Sequence, residues 1–107
     1  MGDGGELIYK LKHRIVRRVY KNPDIVLRKI GDECLLVPVK NIIDNGYILR
    51  LNKMGAYIWE VMDHAKSVDE IKGFLKEKYG TGSEIEKDLE EFLLKLEKLG
   101  LVNIGDS

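Results

Sequence analysis

Apolar and polar positions along this chain change their period near residue 52. Before it, apolar residues come in short runs with a two-residue alternation. After it, and as far as Gly100, they recur at three and four residues. The first pattern predicts strands and the second predicts helices. Ile25-Val26-Leu27-Arg28-Lys29-Ile30 reads as a first strand, with Gly31 and Asp32 as turn residues. Residues 33–39 read as a second strand, with Leu35, Val37 and Val39 on one face. Pro38 has no N–H to donate, which predicts a bulge or a free side there. Residues 40–43 extend this strand toward a hairpin closed at Asn45-Gly46. The returning strand is 47–51: Tyr47, Leu49 and Leu51 share one face, Ile48 and Arg50 the other. In a simple meander this last strand is an edge, with backbone groups that another chain can pair with.

Three helices are predicted next. Asn52 is a suitable N-cap for the first, whose core stripe is Leu51, Met54, Ile58, Val61 and Met62, flanked by Tyr57 and Trp59. Trp59 reads as core packing rather than a cofactor platform. Ser67 and Glu70 form a capping box before the second helix, which buries Val68, Ile71, Phe74, Leu75 and Tyr79 and ends at Gly80. Ser83 and Glu86 form a second box. The third helix carries Ile85, Leu89, Phe92, Leu93, Leu96 and Leu99 on one face and stops at Gly100. Leu94 lies nearly opposite that stripe, as an ordinary exposed leucine or as a partner contact. Residues 101–104 form a short extended piece, with a wing-like strand as one reading. The expected fold class is α+β: a three-stranded antiparallel meander followed by three helices, winged-helix-like.

The N-terminal part differs. Residues 1–6 are Gly-rich and expected to be disordered. Leu7, Leu11, Ile15 and Val19 recur every four residues among basic side chains, which predicts an amphipathic helix over 7–20. Ile15, Val16 and Val19 are β-branched and also suit a strand. The break at Asn22-Pro23-Asp24 divides a basic extension, 1–23, from the main domain, 24–104, with 105–107 as a tail.

Composition narrows the function more than the fold. The chain has 107 residues, enough for one modest core. Formal net charge is zero, so nothing draws the whole molecule to nucleic acid or an anionic surface. The extension is locally basic, with Lys10, Lys12, Arg14, Arg17, Arg18 and Lys21 against Asp3 and Glu6. The third helix is locally acidic. A basic amphipathic segment suits membranes, nucleic acid or acidic partners, and equally a solvated helix packed on the domain or on a second copy of it. Cys34 is alone in an apolar run, so no intrachain disulfide forms and it reads as a small core residue. His13 and His64 stand far apart without paired ligands, so no metal site is expected. No signal-peptide pattern or spanning apolar run is seen, and the expected compartment is cytoplasmic.

No phosphate loop, dinucleotide fingerprint, paired-cysteine motif, metalloprotease motif or nucleophile elbow is found. Carboxylates sit among lysines on helix faces, where solvation explains them. The chain is therefore expected to be no enzyme, with no catalytic residue and no cofactor. Duplex DNA disfavours an acidic recognition helix, although the basic arm could grip phosphates.

From Leu35 to Val102 the chain resembles the PqqD family, whose members are also called RiPP recognition elements. The resemblance rests on Leu35-Leu36-Val37-Pro38, on Leu51-Asn52 through Ala56, Ile58 and Trp59, and on Ser67-Val68-Asp69-Glu70-Ile71. It continues through Tyr79-Gly80, Asp88 to Leu93, and Leu96-Glu97-Lys98-Leu99-Gly100-Leu101-Val102. It implies a non-catalytic peptide chaperone that binds the leader of a ribosomally made precursor peptide. The leader is then presented to a maturation enzyme, often a radical SAM protein. It also implies that the guest peptide adds to the third strand and packs against the third helix. Here those elements give Tyr47, Ile48, Leu49, Arg50 and Leu51, with Lys87, Glu91, Leu94 and Lys95, as candidate peptide-binding residues. The basic segment is outside the family's shared core and could contact the enzyme, cover the edge or mediate a homodimer. The alternative reading is a small winged-helix transcriptional regulator that binds DNA.

Overall fold

The computed structural model describes residues 16–40 and 47–106. The expectations for 1–15, for the hairpin over 41–46 and for Ser107 lie outside the described residues.

Among the described residues, two sheets frame three helices. Strands β2 (Ile25–Ile30), β3 (Glu33–Pro38) and β4 (Leu49–Leu51) form an antiparallel sheet in that order. Gly31 opens the β2–β3 turn, and Ile30 faces Glu33 across it. Across β3, Cys34 faces Leu51, Leu35 faces Arg50 and Leu36 faces Leu49. Alternation therefore sends Ile25, Leu27, Cys34, Leu36, Leu49 and Leu51 toward the helices, where all six join or pack against one apolar cluster. Leu35 and Val37 share a face as expected, but it is the face turned away from the helices; Leu36 and Cys34 supply the contact with the core. Strand β3 ends at Pro38, where the ladder loses a donor.

The helices are α1 (Lys53–Val61), α2 (Val68–Tyr79) and α3 (Ser83–Lys98). The Asn52 side chain accepts from the Gly55 N–H at 2.7 Å, as its N-cap role requires. The Ser67 hydroxyl accepts from the Glu70 N–H, while the Glu70 carboxylate takes the Lys66 N–H at 2.7 Å. The box therefore closes one residue further out than the usual pattern. Gly80 (φ 87°) and Gly100 (φ 77°) stop α2 and α3 in the left-handed region that side chains resist. The cap expected at Ser83 is absent: Ser83 is already helical, Gly82 precedes it, and no side chain caps α3.

Leu36, Ile58, Ile71, Leu75, Leu89, Leu93, Leu96 and Leu101 are almost wholly buried. Each contributes about 1.5–3 kcal/mol through removal from water. Trp59 is buried with them, as a core residue. Two residues assigned to buried faces are not: Leu99 and Tyr79 are exposed at the helix ends. Tyr79 instead meets Tyr57 edge to face, with centroids 5.9 Å apart.

The largest correction concerns the basic segment. The helix predicted over 7–20 is, in its described part, strand β1 (Arg17–Lys21). It pairs antiparallel with β5 (Val102–Asp106), Val19 facing Ile104. The extended piece after α3 is thus a strand, which starts one residue later than the sequence reading and ends two residues later. The reason is tertiary: β-branched Val19 drops into the core, and its N–H donates to the Lys66 carbonyl at 3.0 Å. The turn at 22–24 locks this arrangement. The Asn22 N–H donates to the Leu101 carbonyl, and its side chain reaches the Gly100 carbonyl and the Asp24 N–H.

Candidate functional site

Strand β4 is the last strand of its sheet and is paired only with β3 among the described residues. One row of its backbone N–H and C=O groups therefore faces outward. Its side chains are already committed. Leu51 is buried, Leu49 is half-buried, and Arg50 points the other way to hold Glu33 at 2.7 Å. Regular pairing begins at Leu49 rather than at Tyr47. The Ile48 N–H still donates to the Leu36 carbonyl at 2.8 Å. Tyr47 and Ile48 are 51% and 37% exposed, so Tyr47 does not share the buried face with Leu49 and Leu51. Both are large apolar groups at the mouth of the open edge.

Helix α1 joins this edge to α3. It leaves β4 through Asn52 and brings Gly55 against the Phe92 ring. A Cβ on Gly55 would stand 3.3 Å from two ring atoms, so the lack of a side chain lets the two helices approach closely. This contact identifies the flank of α3 nearest β4 as the Phe92 side. Lys95 and Leu99 follow Phe92 at helical spacing along that flank.

The outward face of α3 carries the other candidates. Glu91, Leu94 and Lys95 line one groove of about 360 Å³ together with Lys98 and Leu99. Leu94 is 51% exposed and Leu99 48%, which makes two apolar side chains in a lysine-rimmed groove. Lys87 stands one turn before Glu91 and is not among the groove residues. The structure thus groups Glu91, Leu94 and Lys95, sets Lys87 apart, and places 47–51 on the sheet across α1. Sequence reading missed Gly55, Phe92, Lys98 and Leu99. The signal for Leu99 was its place at the helix end, next to Gly100, where the core no longer covers the stripe.

The opposite flank of α3 is tied down. Arg17 donates twice to Glu90, at 2.9 and 2.6 Å, and Lys72 approaches Glu86 and Glu90. The hydrogen bond from Arg17, with its charge and that of Lys72, holds the Glu90 carboxyl below its ordinary value against some desolvation. A hydrogen bond from Lys21 does the same for Asp63. The Lys21 ammonium also stands 4.6 Å from the Trp59 ring centre.

Such a site can accept an extended chain through backbone pairing and seat its side chains in an apolar groove. Among the described residues, no three His, Cys, Asp or Glu side chains are grouped to hold a metal ion. No helix among them is long and apolar enough to cross a membrane. No curated protein and no solved structure matched the chain. A family model, Coenzyme PQQ synthesis protein D (PqqD), matches residues 33–102, from the start of β3 through α1, α2 and α3 to the first residue of β5. With about two thirds of its length matched, and with a three-stranded sheet leading into three helices, the chain belongs to the PqqD family.

Proposed function

We propose that this protein is a non-catalytic module that binds the leader of a ribosomally made precursor peptide. It presents that peptide to a modifying enzyme of the radical SAM type. Membership of the PqqD family supports a peptide-binding role connected with coenzyme PQQ synthesis in general terms. The particular peptide and enzyme belong to the proposal. One observation carries it: β4 is a short strand whose outer edge is unpaired among the described residues, and its side chains are occupied elsewhere, so a guest is held by backbone hydrogen bonds. Leu94 and Leu99 supply apolar seats for the guest's side chains, and Lys95 and Lys98 supply charge at the rim.

The test is a titration of the isotope-labelled chain with leader peptides of precursors encoded beside it, read by amide chemical shifts. The expected response covers 47–51 and the outward face of 84–99. A cognate leader that leaves 47–51 unmoved overturns the proposal. Duplex DNA is the contrasting probe. A regulator would respond at 17–21 with a steep salt dependence, whereas the acidic face of α3 opposes phosphate approach.

A further inference from the structure

The three-stranded sheet has a second open edge. Strand β2 is its other terminal strand and pairs only with β3 among the described residues. It is twice as long as β4, six residues against three, and contains no proline. An edge of that length is a pairing site unless something blunts it. Alongside runs a groove of about 510 Å³ between β2 and α1. Its floor is apolar, from Ile25, Leu27 and the buried Trp59. Its rims are ion pairs: Lys21 with Asp63 at 2.9 Å and Lys29 with Glu60 at 3.5 Å. An open strand beside a helix is the same layout as β4 beside α1 and α3, repeated on the far side of β3.

Charge selects the occupant. The rim cations and anions satisfy one another, but Arg28 does not join them. Alternation puts it with Val26 and Ile30 on the sheet face turned away from the helices. It is exposed and has no ion-pair partner among the described residues. An incoming strand would place one set of side chains over Ile25, Leu27 and Trp59, and the other set beside Val26 and Arg28. Its complementary form is apolar on the first face and acidic on the second. A second copy fits less well, because self-pairing of β2 gathers two Arg28 and two Lys29 into one ribbon.

We propose that the β2 edge and α1 form a second strand-accepting site. Its occupant is an extended, alternately apolar and acidic segment of the modifying enzyme. The enzyme's part in this rests on the leader-binding reading of β4. With β3 between them, both edges accept guests at once, about 19 Å apart at four interstrand spacings. The sheet then acts as a splint that holds peptide and enzyme in fixed register.

The experiment titrates the labelled full chain with two acetylated hexapeptides, one alternating valine and glutamate, the other valine and lysine. The glutamate peptide is expected to shift the amides of 25–30 and to bind roughly two- to fivefold tighter than the lysine peptide, the range of one cross-strand ion pair. Arg28→Ala should erase that preference and Arg28→Glu should invert it. Neither change should move the leader response at 47–51. Equal response to both peptides, shifts confined to β4 and α3, or β2 amides that move with protein concentration alone would each overturn the site. Loss of the leader response with the β2 response intact overturns the reading of β4 instead, so the two failures are distinguishable.

Discussion

Strands β1 and β4 are both short, both carry arginine, and end in opposite situations. Strand β1 has β5 on one side and the Lys66 carbonyl on the other, Val19 in the core, Arg17 on α3 and Lys21 on α1. Among the described residues, strand β4 has one neighbour, and its single ion pair lies across its own sheet. Strand β1 fastens the α3 flank that carries Glu90, while the outer backbone of β4 is left exposed, among the described residues, near the flank that carries Phe92. A wall fixed from behind and open in front can receive a strand without refolding, which limits the ordering cost of binding.

The strongest way to break this contrast is to put charge into each strand. Val19→Asp buries a carboxylate without a partner and should cost about 3 kcal/mol or more. Thermal melting would then fall by roughly 12 °C or more. Ile48→Asp, at the mouth of the β4 edge, should stay within about 0.5 kcal/mol in the same measurement while weakening peptide binding. Equal destabilisation by both would show that β4 is covered after all. The next largest effect is expected at the link between edge and helix. Gly55→Leu pushes into Phe92 and should cost about 1–3 kcal/mol by denaturant melting, with amide shifts spreading along α3.

Asn52→Ala removes the cap on α1 and should cost about 1 kcal/mol, with faster hydrogen exchange at the Gly55 amide, which loses its acceptor. The smallest effect concerns the rear fastening. The Arg17/Glu90 pair is partly exposed, so Glu90→Gln should cost less than about 1 kcal/mol near neutral pH. Because the folded-state value of Glu90 is lowered, this contribution is complete above the ordinary carboxylate value of 4.5. It fades as pH falls through the lowered native value. Hydrogen exchange at β1 amides should therefore quicken on acidification in the native chain, with a smaller pH response in Glu90→Gln. An identical acid response in both would remove Glu90 from the fastening.

Most of the fold was legible because its signals are local. A side chain three or four residues along a helix, or two along a strand, is a neighbour whatever the rest of the chain does. Asn52, Ser67, Gly80 and Gly100 act within one turn of their own positions. The candidate edge was legible for the same reason: alternation read over 47–51, of which 49–51 form β4, and the helix that follows place β4 last in its sheet. Errors fell where a distant partner decided the outcome. Val19 has helical spacing to its neighbours but answers to Ile104 and the core. Leu99 keeps helical phase but has run past the end of the packed layer. Ser83 and Glu86 have box spacing, yet the chain enters α3 through Gly82 without using it.

Sequence alone therefore determined the order of β2, β3, β4 and the three helices after them, four of the helix ends, and β4 as the last strand of its sheet. Tertiary structure alone decided that 17–21 is a strand, that Arg17 and Lys21 brace the helices, and that Gly55 of α1 packs on Phe92 of α3. The physical reason is reach. Periodicity and capping depend on backbone geometry over a few residues, whereas pairing of β1 with β5 closes a loop of about 80 residues and gains only from burial that no local window contains.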